Sequence, residues 1–118
     1  MRIEKLNSDY IDEVMNFISE EPEYNIFIIG DIENYGFKED FQTVWGGFDD
    51  SGELAGILLR YFESFIVYSY NEELLKKFSC LISKRGKMVS GKKEIIDLLK
   101  NYLSEEKIEK ERNEYFAS

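Results

Sequence analysis

The chain has 118 residues with 24 acidic and 15 basic side chains, giving a formal net charge of -9, and this length corresponds to a single domain over residues 1–118. Hydrophobic residues make up 43% of the chain, which excludes a disordered acidic tail. The absence of histidine excludes imidazole catalysis and histidine-ligated zinc, and the single cysteine excludes disulfide frameworks and thiolate clusters.

The acidic excess lies in the amino-terminal half. Residues 1–59 carry 14 acids and 3 bases, whereas residues 60–118 carry 10 acids and 12 bases. An acidic face repels polyanions, so we predict that the protein has no nucleic-acid partner. No stretch reaches the roughly 18 uninterrupted apolar residues of a membrane span, and residues 1–5 lack the apolar core of a signal peptide. We therefore expect a cytoplasmic protein without a membrane partner.

The first half of the chain predicts one strand and two helices. A short alternating segment over residues 2–6 favours a strand, and Asn7 begins a run of good helix N-caps. Apolar residues then recur on one helical face up to Ile18, and Pro22 ends this helix. A second helix is predicted from about Asn25 to Tyr35. It is apolar almost all round, so we expect it to be deeply buried.

The second half predicts three antiparallel strands, followed by helix, strand, helix and strand. Short apolar runs broken by turns place the three strands at 43–48, 54–61 and 65–68. Asn71 caps a third helix that ends near Arg85. A short strand is predicted at 87–90, and apolar spacing continues a fourth helix to Leu103. The tail from residue 105 is interpreted as a last strand.

The segment from Gly86 to Lys93 is close to the phosphate-binding pattern G-x-x-x-x-G-K-[ST]. Lys93 replaces the hydroxyl residue that would hold magnesium, and residues 87–90 are typical of a strand, so we interpret the segment as a strand entering a helix. A narrower hypothesis remains, because amides at this helix start could hold an anion together with lysine. Its candidate residues are Ser90, Gly91 and Lys92.

Two carboxylates, Asp31 and Glu33, lie inside the apolar second helix. Ionised groups there must face water or be paired, so both are candidate site residues. The other acidic clusters, such as the one at 20–23, are interpreted as solvated loops. The strand aromatics are interpreted mainly as core packing; they are Trp45, Tyr61, Phe62, Phe65, Tyr68 and Tyr70. The residues indicate no catalytic group and no metal site.

One long string covers residues 20–37, Glu-Glu-Pro-Glu-Tyr-Asn-Ile-Phe-Ile-Ile-Gly-Asp-Ile-Glu-Asn-Tyr-Gly-Phe, and is followed by Val44-Trp45-Gly46. Together with the segments at 58–61, 90–95 and 115–116, it resembles the amino-terminal half of two-domain GNAT-family acetyltransferases from firmicute-type bacteria. The resemblance spans nearly all of the chain. It implies an α+β fold, a GNAT-like mixed and mainly antiparallel sheet flanked by four helices and lacking the last strand.

The resemblance also implies where acetyl-coenzyme A binds in the family, at a [QR]-x-x-G-x-[GA] loop between the fourth strand and the third helix. Here that junction reads Tyr68-Ser69-Tyr70-Asn71-Glu72-Glu73-Leu74, without glycine and with two carboxylates. We therefore expect no cofactor in this segment. Acetyl-coenzyme A would belong to the parent protein, whose catalytic domain is expected beyond residue 118.

The resulting hypothesis is a non-catalytic amino-terminal domain that supplies part of an acceptor-substrate wall or an interface, with Asp31 and Glu33 as candidates. Its expected partners are its own carboxy-terminal catalytic domain and a second copy in a homodimer. By resemblance, the parent protein transfers acetyl from acetyl-coenzyme A to an amine. Two alternatives stay open: a stand-alone interaction or small-molecule-binding module on the same fold, and a phosphate-ligand enzyme using residues 86–93.

Overall fold

The computed structural model describes residues 1–85 and 88–103 of the chain. Their elements are β1 (Arg2–Lys5), a 3₁₀ turn (Ser8–Tyr10), α1 (Ile11–Ile18), α2 (Ile26–Tyr35), β2 (Gln42–Phe48), β3 (Leu54–Tyr61), β4 (Ser64–Ser69), α3 (Glu72–Arg85), β5 (Met88–Gly91) and α4 (Lys93–Leu99). The predicted last strand after residue 105 lies outside the described residues.

The five strands form one mixed sheet in the order β1-β2-β3-β4-β5. The pairs from β1 to β4 are antiparallel; short hairpin turns join β2 to β3 and β3 to β4, whereas α1 and α2 lie between β1 and β2. β4 and β5 are parallel because α3 crosses over between them. The predicted α+β class and mixed sheet with four helices are confirmed.

The register divides the sheet into two faces. Tyr61 on β3 pairs with Gln42, and Ile57 pairs with Tyr68, so these side chains share one face. Tyr68 contacts Phe17 of α1 on this face, with ring centroids 5.4 Å apart. On the other face, a Cβ added to Gly47 would collide with Leu74 of α3, and one added to Gly56 would lie 3.1 Å from Phe78 of α3. Helices α1 and α2 therefore cover one face, and α3 with α4 the other.

The core lies between the sheet and these two helical layers. Its largest fully buried side chains are Phe65, Phe78, Ile18, Ile28, Ile57, Leu58, Leu59, Leu74, Leu75, Ile82 and Ile95. These residues occupy the positions that the strand and helix periodicities predict to be apolar.

Most of the predicted capping residues lie at the ends of helices in the structure. The Asn7 side chain accepts a hydrogen bond from the Asp9 amide at 2.8 Å, and the Asn71 side chain accepts one from Leu74 at 3.1 Å. Gly36 ends α2 with a φ of 68°, a backbone conformation that favours glycine. The prediction that α4 continues to Leu103 is wrong, since the helix ends at Leu99 and the chain turns so that Leu103 still packs in the core.

The predicted deep burial of α2 is also wrong. Ile28 and Ile32 are buried, but Ile26 is 58% exposed and Phe27 is 44% exposed. The helix contacts the rest of the domain along one side only, so the apolar residues on its outer side face solvent.

Within the described residues, no helix is long and apolar enough to span a membrane.

Candidate functional site

The pairing of the parallel strands β4 and β5 stops at their carboxyl ends, and this place, called the opening between β4 and β5 below, carries the most densely connected polar cluster of the described chain. The last paired residues are Val67 and Gly91, after which β4 continues to Ser69 and is followed by Tyr70, while β5 ends and is followed by Lys92. Ligands in α/β sheets bind preferentially outside the carboxyl ends of the strands. The geometry of this opening therefore decides what the fold can hold.

A loop between α1 and α2 reaches over the opening and is fixed by a buried asparagine. Asn25 is 1% exposed, and its side-chain amide donates a hydrogen bond to the Ile18 carbonyl at the end of α1. The 2.8 Å bond ties the end of α1 to the start of α2. The intervening loop is thereby held with Glu21 and Tyr24 at the mouth of the opening.

Five side chains meet there: Glu21, Tyr24, Tyr68, Tyr70 and Lys92, called the Lys92 cluster below. The Lys92 ammonium donates to Glu21 Oε1 at 2.7 Å and to the Tyr70 hydroxyl at 2.7 Å. Tyr68 donates to Glu21 Oε2 at 2.9 Å, and Tyr70 donates to the same oxygen. The Lys92 Nζ also lies 4.4 Å from the centre of the Tyr24 ring.

The cluster stabilises both of its charges. Partial burial alone would raise the pKa of Glu21, but hydrogen bonds from Lys92, Tyr70 and Tyr68 hold it below its usual value. Hydrogen bonds to Glu21 and Tyr70 raise the pKa of Lys92, and burial beside Glu21 raises that of Tyr68. At neutral pH Lys92 is a paired ammonium and Glu21 a paired carboxylate, so neither is poised to exchange a proton.

Backbone amides at the adjoining start of α3 likewise donate hydrogen bonds to side chains of the chain itself. The Ser69 hydroxyl accepts from the Asn71 amide at 3.1 Å, and the Asn71 side chain accepts from Leu74. Glu72 follows directly and accepts a hydrogen bond from the Tyr102 hydroxyl at 2.9 Å. An anion approaching this helix start would meet capped amides and carboxylates.

The three residues of the predicted anion site lie along this same opening. Ser90 is half-buried on β5, and Gly91 is buried where a Cβ would come within 2.9 Å of the Val67 carbonyl, so close strand packing explains that glycine. Lys92, not Ser90, is the residue that precedes α4, and its ammonium is paired with Glu21. The anion hypothesis stays a prediction, and an anion at Lys92 would have to compete with Glu21.

The two candidate carboxylates of α2 are separated by the helix. Asp31 is half-buried, and its charge acts on the hydroxyl of Tyr61 on β3, whereas Glu33 is exposed. Residues two apart on a helix point about 200° away from each other, so the two carboxylates do not form one site. Their role in a substrate wall or interface stays a prediction.

Two interpretations from the sequence are wrong at this opening. Glu21 is not a solvated loop carboxylate, because its side chain is only 24% exposed and is held by three donors. Tyr70, interpreted as core, is 50% exposed. Away from this opening, in the turn between β3 and β4, the interpretation of Phe62 as core is wrong as well, since it is 56% exposed. Glu21 and Lys92 are 71 residues apart in the chain, so no local pattern could have indicated their contact.

Residues 1–85 and 88–103 contain no group of three or more acidic or cysteine side chains placed to hold a metal ion.

Comparisons with known proteins address the fold of the chain. No family model matches the sequence, and no curated protein matches it. Among solved structures, one assigned as an acetyltransferase from Exiguobacterium sp. 255-15 matches at 12% identity and a TM-score of 0.48, covering 78% of this chain and 76% of that one. A second crystal structure assigned as an acetyltransferase matches at 13% identity and a TM-score of 0.53, covering 86% of this chain and 87% of that one. The second likeness, together with the mixed sheet and its four helices, shows a GNAT-like fold.

Proposed function

We propose that this GNAT-like chain is a non-catalytic amino-terminal domain of an acetyltransferase whose complete protein transfers acetyl from acetyl-coenzyme A to an amine. The observation that carries the proposal is the Lys92 cluster. It places an ion pair and tyrosine side chains of the chain itself at the opening between β4 and β5. A pantetheine arm entering this opening would have to displace a paired ammonium and a paired carboxylate, at a cost of several kcal/mol.

The start of α3 supports the same proposal. In the resembled family, backbone amides of a glycine loop at this position hold the cofactor pyrophosphate. Here Asn71 caps the helix, and two carboxylates, Glu72 and Glu73, occupy its first turn. Carboxylates at this position repel a pyrophosphate, so cofactor chemistry is assigned to a second domain expected beyond residue 118.

The exposed outer side of α2 supports an interface with such a domain. Ile26 is 58% exposed and the adjoining Phe27 is 44% exposed, next to the loop that carries Glu21 and Tyr24, and neighbouring exposed apolar side chains support a contact surface. Under this proposal, the chain's own carboxy-terminal catalytic domain covers Ile26. The same surface favours the second candidate function, a stand-alone interaction module on the same fold.

The test is isothermal titration of the 118-residue chain with acetyl-coenzyme A, using a catalytic acetyltransferase as the positive control. We expect no saturable binding to the wild type. The double variant Glu21→Ala/Lys92→Ala, which empties the opening, is expected to remain without binding, because the α3 start still lacks a pyrophosphate loop. Saturable binding by the wild type that is lost in Lys92→Met would overturn the proposal.

The length of the reading frame in the gene distinguishes the two candidate functions. A reading frame that continues past Ser118 into a second α/β unit with a glycine loop supports the amino-terminal domain. A stop codon directly after Ser118 contradicts it and favours the stand-alone module.

A further inference from the structure

A cleft of about 390 Å³, called the Lys38 cleft below, lies between the start of α1 and the end of α2. Its lining residues come from the 3₁₀ turn, the first turn of α1 and the last turn of α2 with the residues that follow; they are Ser8, Ile11, Tyr35, Gly36, Phe37 and Lys38. The loop that carries Glu21 joins the other ends of the two helices, so this cleft is separate from the Lys92 cluster. Clefts of roughly 300–1,000 Å³ are typical of small-molecule sites.

The lining of the Lys38 cleft is mainly apolar. Phe37 is buried as part of the core, whereas Ile11 is 36% exposed and Tyr35 is 39% exposed. A ligand in the cleft would cover the exposed parts of Ile11 and Tyr35, and removing apolar surface from water favours binding. The cleft therefore favours a ligand with an apolar body.

The α2 side of the cleft is held in place by contacts within the chain. The ring of Tyr35 packs edge-on against Phe41, with centroids 5.2 Å apart, and lies 5.7 Å from the ring of Tyr61. Next to it, the Gly36 carbonyl accepts a hydrogen bond from the Gln42 side chain at 2.8 Å. Because this wall is formed before a ligand arrives, binding orders few further groups.

Two polar side chains of the cleft have unused hydrogen-bonding capacity. The Lys38 ammonium and the Ser8 hydroxyl form no hydrogen bond or ion pair with another described residue. Both groups can donate hydrogen bonds, and Lys38 carries the charge of the lining. A mainly apolar cleft with these two donors favours a ligand that ends in an anionic oxygen group.

The surroundings of the cleft limit the charge of such a ligand. Asp9 and Asp12 are neighbours of the lining residues on the α1 side, and Glu39 and Asp40 follow Lys38; all four are exposed. One ammonium among several carboxylates compensates one negative charge, whereas a second negative charge on the ligand would be repelled. The surroundings therefore favour a monoanion.

We propose that the Lys38 cleft binds a small apolar monocarboxylate. Its ring or branched chain would contact Ile11, Tyr35 and Phe37, and its carboxylate would accept hydrogen bonds from Lys38 and Ser8. The 390 Å³ of the cleft equals the volume of roughly thirteen water molecules, which accommodates a ligand of about ten non-hydrogen atoms. This site does not depend on the proposed function.

The test uses the ¹⁵N-labelled 118-residue chain at neutral pH, titrated with sodium phenylacetate while sodium chloride is withdrawn to keep the ionic strength constant. We expect saturable NMR shifts at the amides of residues 8–11 and 35–38. The expected dissociation constant is in the millimolar range, as is typical of a ligand of about ten non-hydrogen atoms. Shifts that increase linearly without saturation, or saturable shifts confined to residues outside the cleft, would overturn the proposal.

Three analogues with the same ring test the charge of the ligand. Phenylacetamide is neutral, 2-phenylethylammonium carries a positive charge, and homophthalate carries a second carboxylate. We expect each to bind at least about threefold more weakly than phenylacetate. Equal or tighter binding of 2-phenylethylammonium would show that the acidic surroundings rather than Lys38 determine binding, and it would overturn the proposal. Equal binding of phenylacetamide or homophthalate would contradict a site for a monocarboxylate.

Matched lysine variants test the contact with the carboxylate. Lys38→Met keeps the apolar stem, so it should raise the dissociation constant of phenylacetate at least about fivefold and that of phenylacetamide less than about twofold. Lys77→Met removes an exposed ammonium from α3, on the other face of the sheet, and should change both constants by less than about twofold. Equal weakening of phenylacetate binding by the two variants contradicts the site.

Ile11→Ala tests the apolar wall separately. It removes apolar surface but no charge, so it should weaken the binding of phenylacetate and phenylacetamide by the same factor, about threefold. This variant also provides an independent measurement if Lys38→Met alters the fold. Unchanged binding of both probes would show that the ligand does not enter the cleft, and it would overturn the proposal.

Discussion

Two half-buried carboxylates lie on the same face of the sheet, and they differ in the hydrogen-bond donors that surround them. Glu21, at the opening between β4 and β5, receives hydrogen bonds from Lys92 and two tyrosines, which lower its pKa. Asp31, at the other end of β3 and β4, receives none within the described chain, and burial raises its pKa. One carboxylate is satisfied internally and the other is not.

The difference shows that one fold can pair the carboxylate at one position, Glu21, and leave the carboxylate at another, Asp31, unpaired within the described chain. We call the first the closed position and the second the open position. At the Lys92 cluster, the charges that a ligand would need are already paired, so a ligand there gains little and must displace existing contacts. At the end of α2, no donor of the described chain reaches the Asp31 carboxylate, so only solvent compensates its partial burial.

The largest expected effect comes from removing the cation of the closed position. Lys92→Met keeps the apolar stem but leaves Glu21 partly buried without its counterion. Because hydrogen bonds to charged groups contribute roughly 1.5–3 kcal/mol, we expect the free energy of unfolding in urea to fall by about 2 kcal/mol. The side chain of Lys92 is only 15% exposed, so little of this contribution is lost to solvent screening.

The neighbouring lysine supplies the control. Lys93 is 61% exposed and pairs with Asp97 across one helical turn, so Lys93→Met should cost less than about 0.5 kcal/mol. Similar losses in the two variants would show that the Lys92 cluster is no stronger than a surface ion pair, and the contrast with Asp31 would fail.

A second, smaller effect is the pH dependence that Glu21 confers. Its pKa is lower in the folded chain than the reference value of 4.5, so its stabilisation is present above that value and is lost as pH falls through the folded pKa. We expect Glu21→Gln to reduce the free energy of unfolding by about 1.5 kcal/mol at pH 7, and the difference from wild type to shrink steadily as pH falls below 4.5. Urea titrations of both proteins at several pH values measure this difference.

The exposed carboxylate of Glu23 lies in the same loop, which makes Glu23→Gln a matched control. It should change the free energy of unfolding by less than about 0.5 kcal/mol at either pH. A pH-independent loss in Glu21→Gln would indicate that the tyrosine and lysine contacts do not favour the ionised carboxylate.

The sequence predicted most of the fold because local patterns determine most of it. The limits of β3 agree with the prediction at both ends, and the caps at Asn7 and Asn71 form as expected. Failures occurred where tertiary contacts decide. The end of α4 depends on how the following turn packs Leu103, and the exposure of Ile26 depends on what covers α2. Periodicity reports which residues are apolar but not which apolar face is covered.

The candidate sites divide in the same way. Asp31 could be singled out from the sequence because a carboxylate within an apolar helix is unusual. Recognising it required only its neighbours on the helix and no distant residue. The Lys92 cluster could not, because Glu21, Tyr68 and Lys92 come from three separate elements. Each looks ordinary in isolation, as a loop acid, a strand aromatic and a helix-start lysine.

The smallest expected effect tests the open position directly and has the opposite sign. Because burial raises the pKa of Asp31, its ionised form destabilises the folded chain at neutral pH, and this cost disappears as pH falls below the reference value of 3.8. Asp31→Asn should therefore increase the free energy of unfolding by about 0.5 kcal/mol at pH 7 and leave it unchanged near pH 3. A decrease at pH 7 would mean that Asp31 has a stabilising partner, which would remove the contrast with Glu21.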